Sequence, residues 1–90
     1  MKLGKVTGTV VATRKDESLV GFKLMVVRLI DSAGNYISDE SVAADYVGAG
    51  IGEIVLIGSG SSVRVSESKS KAVIDMAIIG IIDTVDVQGT

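Results

Sequence analysis

Chemistry in this chain must come from carboxylates, amines, hydroxyls and backbone groups, because it contains no Cys and no His. That removes disulfides, thiolate nucleophiles, thiolate or imidazole metal ligands, and the side chain most used for proton transfer near neutral pH. Carboxylate-only catalysis needs two acids converging in a cleft. The nearest pair in sequence is Asp45 and Glu53, beside a short apolar stretch and a glycine loop, with no nucleophile close to either. They read as structural charges. No catalytic residue, metal ligand or cofactor is expected.

The remaining stretch that invites a chemical reading is residues 48–64, GAGIGEIVLIGSGSSVR. Gly48, Gly50 and Gly52 alternate with Ala49 and Ile51, which suits positive φ or close backbone approach. A dinucleotide site requires a strand, then Gly-x-Gly-x-x-Gly, then a helix. Here the spacing is Gly-x-Gly-x-Gly, Glu53 stands where the third glycine belongs, and a strand follows at Ile54-Val55-Leu56-Ile57. No Gly-Lys-Ser/Thr tripeptide exists to make a phosphate loop. Gly58-Ser59-Gly60-Ser61-Ser62 then reads as a tight turn, with Ser61 or Ser62 placed to cap a short helical turn carrying Arg64. Phosphate binding is rejected as the main function.

The elements around this stretch are predominantly β. Ninety residues make one small domain with limited room for a core. The chain is 47% hydrophobic but only 3% aromatic, so its apolar content is aliphatic, and it has 11 Gly and no Pro. No apolar run approaches the ~20 residues that span a bilayer, and the start of the chain lacks the apolar segment of a signal peptide. No membrane is expected, and a cytoplasmic location is. With net charge −2 there is no basic field to attract nucleic acid.

Period-two alternation predicts a first strand over residues 3–13, with Gly8 marking a bend or bulge. Residues 14–18 read as a solvated charged connection. A second strand is predicted over 24–30, then a turn at Asp31-Ser32-Ala33-Gly34-Asn35, where Asp and Asn bond their own backbone and Gly supplies positive φ. Residues 36–41 fit a loop or an edge strand, 42–47 a third strand, and about 75–87 the last. The serine-rich 65–71 stretch reads as a surface loop. About five strands with short connections imply a small all-β, OB-like barrel with a short helical turn, or a small sandwich.

In such a barrel the outward faces of strands normally alternate polar. The 24–30 and 76–82 segments instead carry apolar residues on both faces. A second apolar surface outside a small core predicts contact with another chain, and self-association closes most simply into a ring.

The same residues resemble the bacterial microcompartment vertex proteins of the EutN/CcmL family. The matching pieces come in family order along nearly the whole chain. They are Val6-Thr7-Gly8 with Thr13 and Lys15, then Leu19-Val20-Gly21-Phe22-Lys23-Leu24, then Val42-Ala43-Ala44-Asp45 and Val47-Gly48-Ala49-Gly50-Ile51-Gly52-Glu53. Gly60-Ser61-Ser62-Val63-Arg64 and Ile78-Ile79-Gly80-Ile81-Ile82-Asp83 complete the set, with Val63 where the family often has Ala. The resemblance implies a homopentamer of five-stranded barrels that caps the corners of a polyhedral shell against hexameric facet proteins, without catalysis. The alternative is an OB-fold nucleic-acid- or ligand-binding module, which the acidic balance and scarce aromatics disfavour. Gly48, Ala49, Gly50, Gly52 and Glu53, with Gly60, Ser61, Ser62 and Arg64, are the expected close-packing loops at the subunit interface. Glu53 and Arg64 either pair across subunits or solvate an edge.

Overall fold

In a computed structural model, described here over residues 1–13, 17–60 and 75–88, the chain forms a closed barrel of strand order β1-β2-β3-β5-β4. The strands are β1 (Lys2–Val10), β2 (Lys23–Ile30), β3 (Tyr36–Asp45), β4 (Ile54–Ser59) and β5 (Met76–Ile81). A 3-10 turn, Glu17–Leu19, lies between β1 and β2. All pairings are antiparallel except the short β3–β5 contact at Ala44–Ala77 and Asp45–Ile78.

The interior is filled by one side chain from every other position. Val6, Met25, Val27, Ala43, Val55, Ile57 and Ile78 form the core, joined by Ala49 from the loop before β4. β-Branched and small residues suit this space, because a five-stranded barrel is only wide enough to be packed solid by its own side chains. Gly8 marks a bulge as expected, the β1–β2 register shifting between Val6 and Gly8.

Four boundaries differ from the periodicity. Strand β1 ends at Val10 rather than Thr13. The 36–41 and 42–47 segments are one strand, β3, because β2 supplies partners from Ile30 down to Lys23 that hold even the polar half in register. β4 runs on to Ser59, so Gly58 is a buried strand residue opposite Ala77 rather than part of a turn. β5 stops at Ile81, not near Val87, because its partner β4 begins at Ile54 and leaves nothing to pair beyond a last Ile82 N–H to Ile54 carbonyl bond. The expected helical turn carrying Arg64, and the 65–71 loop, lie outside the described residues.

The doubly apolar strands also need a correction. Part of their outward face is covered by the chain itself. Ala44 and Ala77 are fully buried on the outside of the barrel beneath Leu19, Phe22, Leu24, Tyr46 and Ile79. Phe22 and Tyr46 rings pack with centroids 5.6 Å apart. A small second core, folded over from the connection before β2, therefore takes up apolar area that the sequence alone assigns to another chain.

Candidate functional site

The loop between β3 and β4 is built from its own hydrogen bonds. The Asp45 Oδ1 atom accepts from the Val47 and Gly48 N–H groups at 3.0 and 2.9 Å, turning the chain as it leaves β3. Gly48 then takes φ +79° and Gly52 φ +91°, backbone states that L side chains rarely adopt. Between them Ala49, 1% exposed, points into the barrel and closes its end. The Gly50 N–H donates to Glu53 Oε1 at 2.5 Å, and the Glu53 N–H donates back to the Gly50 carbonyl at 3.2 Å. This reciprocal pair locks a tight turn.

Two further bonds fix the loop to β1. Gly52 N–H donates to the Val6 carbonyl at 2.8 Å, and Val6 N–H donates to the Glu53 carbonyl at 3.1 Å. The result is a rigid knuckle whose inner side is core and whose outer side carries Val47 and Ile51, the latter 65% exposed. An apolar side chain held outward on a backbone this constrained loses little further entropy when it packs against a second surface.

Five of the residues expected at the interface, Gly48, Ala49, Gly50, Gly52 and Glu53, thus come together in one loop. Gly60 lies elsewhere, just past β4, with φ +62° and its N–H donating to the Asp75 carbonyl at 3.0 Å. Ser61, Ser62 and Arg64 fall outside the described residues, as does any Glu53–Arg64 pair. Glu53 has a local role, and so does Gly50: a Cβ there would sit 3.2 Å from Glu53 Oε1 within the same chain. One carboxylate oxygen of Asp45 and one of Glu53 are each engaged with their own loop's backbone. The second Asp45 oxygen, Oδ2, is buried without a hydrogen-bond partner. Among the described residues no group of three or more acids converges as a metal site would require.

A second organised cluster was not legible in the sequence. Arg28 donates from Nε to the Ser38 carbonyl at 3.0 Å while its guanidinium lies 3.9 Å from the Tyr36 ring centroid. Ser38 Oγ accepts from the Leu29 N–H at 2.9 Å and donates to the Asp39 carbonyl, filling the β2–β3 irregularity between Arg28 and Ile30. Its one sequence signal was an arginine inside an otherwise apolar strand. Of the three aromatics, Phe22 packs with Tyr46, and Tyr36 lies beneath Arg28.

The fold is thus a closed five-stranded barrel capped by a glycine knuckle. Residues 1–83 match the family model described as ethanolamine utilisation protein EutN/carboxysome, and the chain belongs to that EutN/CcmL family. It is 48% identical over 88 residues to the carboxysome shell vertex protein CcmL of Synechococcus elongatus, covering 98% of this chain and 89% of that one. It is 51% identical over 86 residues to the bacterial microcompartment shell vertex protein GrpN of Rhodospirillum rubrum, covering 96% and 97% respectively. The solved structure of that pentameric shell protein matches with TM-score 0.88 at 49% identity, over 98% of this chain and all of the other. Among the described residues no helix is long and apolar enough to cross a membrane.

Proposed function

We propose that this chain is a structural vertex protein: a homopentamer that closes the corners of a polyhedral bacterial microcompartment shell against hexameric facet proteins, inside the bacterial cell. The observation that carries this is the full-length likeness to shell vertex proteins at about half identity, one of them pentameric in its solved structure. The role is geometric. A sheet of hexagons stays flat until pentagons are introduced, so five wedge-shaped subunits at each corner supply the curvature. Catalysis is not part of it.

The knuckle of residues 47–53 is the surface assigned to contact between neighbours in the ring. It is held by its own hydrogen bonds, it projects Val47 and Ile51, and the N–H groups of Val47, Gly48, Gly50, Gly52 and Glu53 are bonded within the chain. Native mass spectrometry of the purified protein tests the reading. A dominant species of five chains supports it, and a monomer at every accessible concentration overturns it. Co-expression with a hexameric facet protein tests the second half: closed shells should form with this chain and open sheets or tubes without it.

A further inference from the structure

Part of one strand edge in the barrel wall is left open among the described residues. Strand β5 pairs with β3 only at Ala44 and Asp45, and the Tyr46 N–H donates to the Ile78 carbonyl at 3.1 Å. The backbone polar groups of Ala44 and Tyr46 therefore turn toward β5. Along a strand these groups alternate between its two sides, so those of Val42 and Glu40 turn the same way. No described strand meets them there, while β2 holds the other side in register, Val26 opposite Val42 and Arg28 opposite Glu40. The open stretch is bounded by β5 at one end. At the other lies the irregularity that Ser38 fills, where Ser38 Oγ bonds the Asp39 carbonyl. A short length of edge thus presents the N–H and carbonyl of Glu40 and of Val42 on a strand whose course is already fixed.

The side chains along that edge select what can add to it. Glu40 and Val42, two residues apart, share the outer face of the sheet. Val42 is 52% exposed, and Glu40 and its neighbour Asp39 are exposed as well. Arg28 stands directly opposite Glu40 but is drawn away from it, with Nε on the Ser38 carbonyl and the guanidinium over Tyr36. Acidic side chains on an edge oppose its pairing with a like edge. A second copy would bring the same acids, so it is a poor occupant. Side by side on one face, opposite charges attract and apolar side chains pack. The strand that fits has a basic residue level with Glu40 and an apolar one level with Val42.

We propose that the Glu40–Val42 edge of β3 is a docking site for an extended segment of another protein, one carrying Lys or Arg two positions from an apolar residue. The segment adds as a strand: backbone bonds to Glu40 and Val42 hold it, and the two side chains set its register and its sign. This is a binding activity beyond the corner-closing role and does not draw on it. The knuckle assigned to the ring lies past the end of β3, on the far side of Ala44 and Asp45.

Fluorescence anisotropy with the full chain tests it. The probe is a labelled peptide, Thr-Val-Thr-Lys-Thr-Val-Thr, which reads the same in both directions and so fits a parallel or an antiparallel addition. It should bind, and the counterpart with Glu in place of Lys should bind about tenfold more weakly. Strand addition uses one edge of the peptide only. Methylating the N–H groups of Lys and Val, or alternatively those of the threonines, should therefore abolish binding in one case and spare it in the other. Glu40→Lys should reverse the charge preference with thermal unfolding nearly unchanged, because the side chain is exposed. Failure of the lysine peptide to bind at low salt overturns the proposal. So does equal binding of that peptide by Glu40→Lys, which places it elsewhere, and so does indifference to both methylations, which leaves charge attraction alone. A species larger than the ring in native mass spectrometry, lost in Glu40→Lys, gives the edge to a second copy and overturns it too. A pentamer that binds no peptide defeats this proposal alone, and a monomer that binds it as described defeats the corner-closing reading alone.

Discussion

Glycines at positive φ give a way to separate folding from assembly. Gly52 has φ +91°, and Gly34 and Gly21 have nearly the same, +89° and +90°. At all three a Cβ would meet nothing within 4 Å in the protomer. Replacing any of them by Ala therefore imposes the same backbone cost, about 1–2 kcal/mol, with no clash inside the chain. For a domain of this size each kcal/mol lowers the protomer's Tm by about 4–8 °C. The three variants should match in that respect. They should part in assembly. If the knuckle packs against a neighbour, an extra methyl at Gly52 overfills that contact at a cost of about 1–3 kcal/mol per interface. Because the same contact recurs at every junction, a five-membered ring is disfavoured by about 5–15 kcal/mol in total. Gly34→Ala and Gly21→Ala carry no such addition. The assay is native mass spectrometry over a dilution series, with thermal unfolding at one fixed concentration as the control. Gly52→Ala should be largely dissociated where Gly34→Ala and Gly21→Ala remain pentameric. Rings of equal persistence in all three would refute the placement of the knuckle at the interface. Gly50→Val is a poorer probe, since its side chain meets Glu53 within the same chain before any neighbour is considered.

Three further outcomes follow from single contacts. Glu53→Ala removes the acceptor for the Gly50 N–H and should cost about 1–3 kcal/mol, whereas Glu53→Gln keeps an acceptor oxygen and most of the stability. Urea midpoints at fixed protein concentration measure the difference, and equal losses would show that the bond is not what matters. Arg28→Lys surrenders both the Ser38 carbonyl bond and the stacking over Tyr36, for a loss of about 1 kcal/mol; an unchanged urea midpoint would count against the cluster. The Asp31 carboxyl is held below its usual pKa, chiefly by accepting the Asn35 backbone N–H, helped by the Asn35 side chain and the Ala33 N–H. The folded form favours the charged state, so this contribution is complete above the ordinary carboxylate value of about 3.9 and disappears as pH falls through the lower folded one. Amide shifts of Ala33 and Asn35 should titrate below that value, and a midpoint at or above it would contradict the turn's geometry.

The Asp31–Asn35 turn shows how far local sequence reaches. Asp bonding the backbone two and four residues on, and Gly34 at positive φ, are short-range chemistry written into adjacent residues. Gly8 announced its bulge for the same reason. Strand ends were harder, because a strand ends where its partner does. Nothing in the residues after Ile81 says that β4 begins at Ile54 and can pair no further. Likewise the polar residues of β3 are held by β2, and their own alternation carries little of that information.

Of the loops expected at the interface, residues 48–53 were legible as a loop but not in detail. Their glycines, order and spacing carried the family resemblance, and the absence of His and Cys narrowed the chemistry. That Ala49 turns inward to close the barrel while Ile51 turns outward depends on bonds from Gly52 and Glu53 to Val6, more than forty positions earlier in the chain. By itself, then, the sequence determined the all-β class, the aliphatic core, the tight turns and the family, since each rests on composition, short-range periodicity or ordered motifs. Tertiary structure decided which apolar faces the chain covers for itself and which it leaves bare. Whether Leu24 and Ala44 meet Phe22 or another molecule is a matter of how distant segments fold over one another, and hydrophobic burial is indifferent to which chain provides the cover.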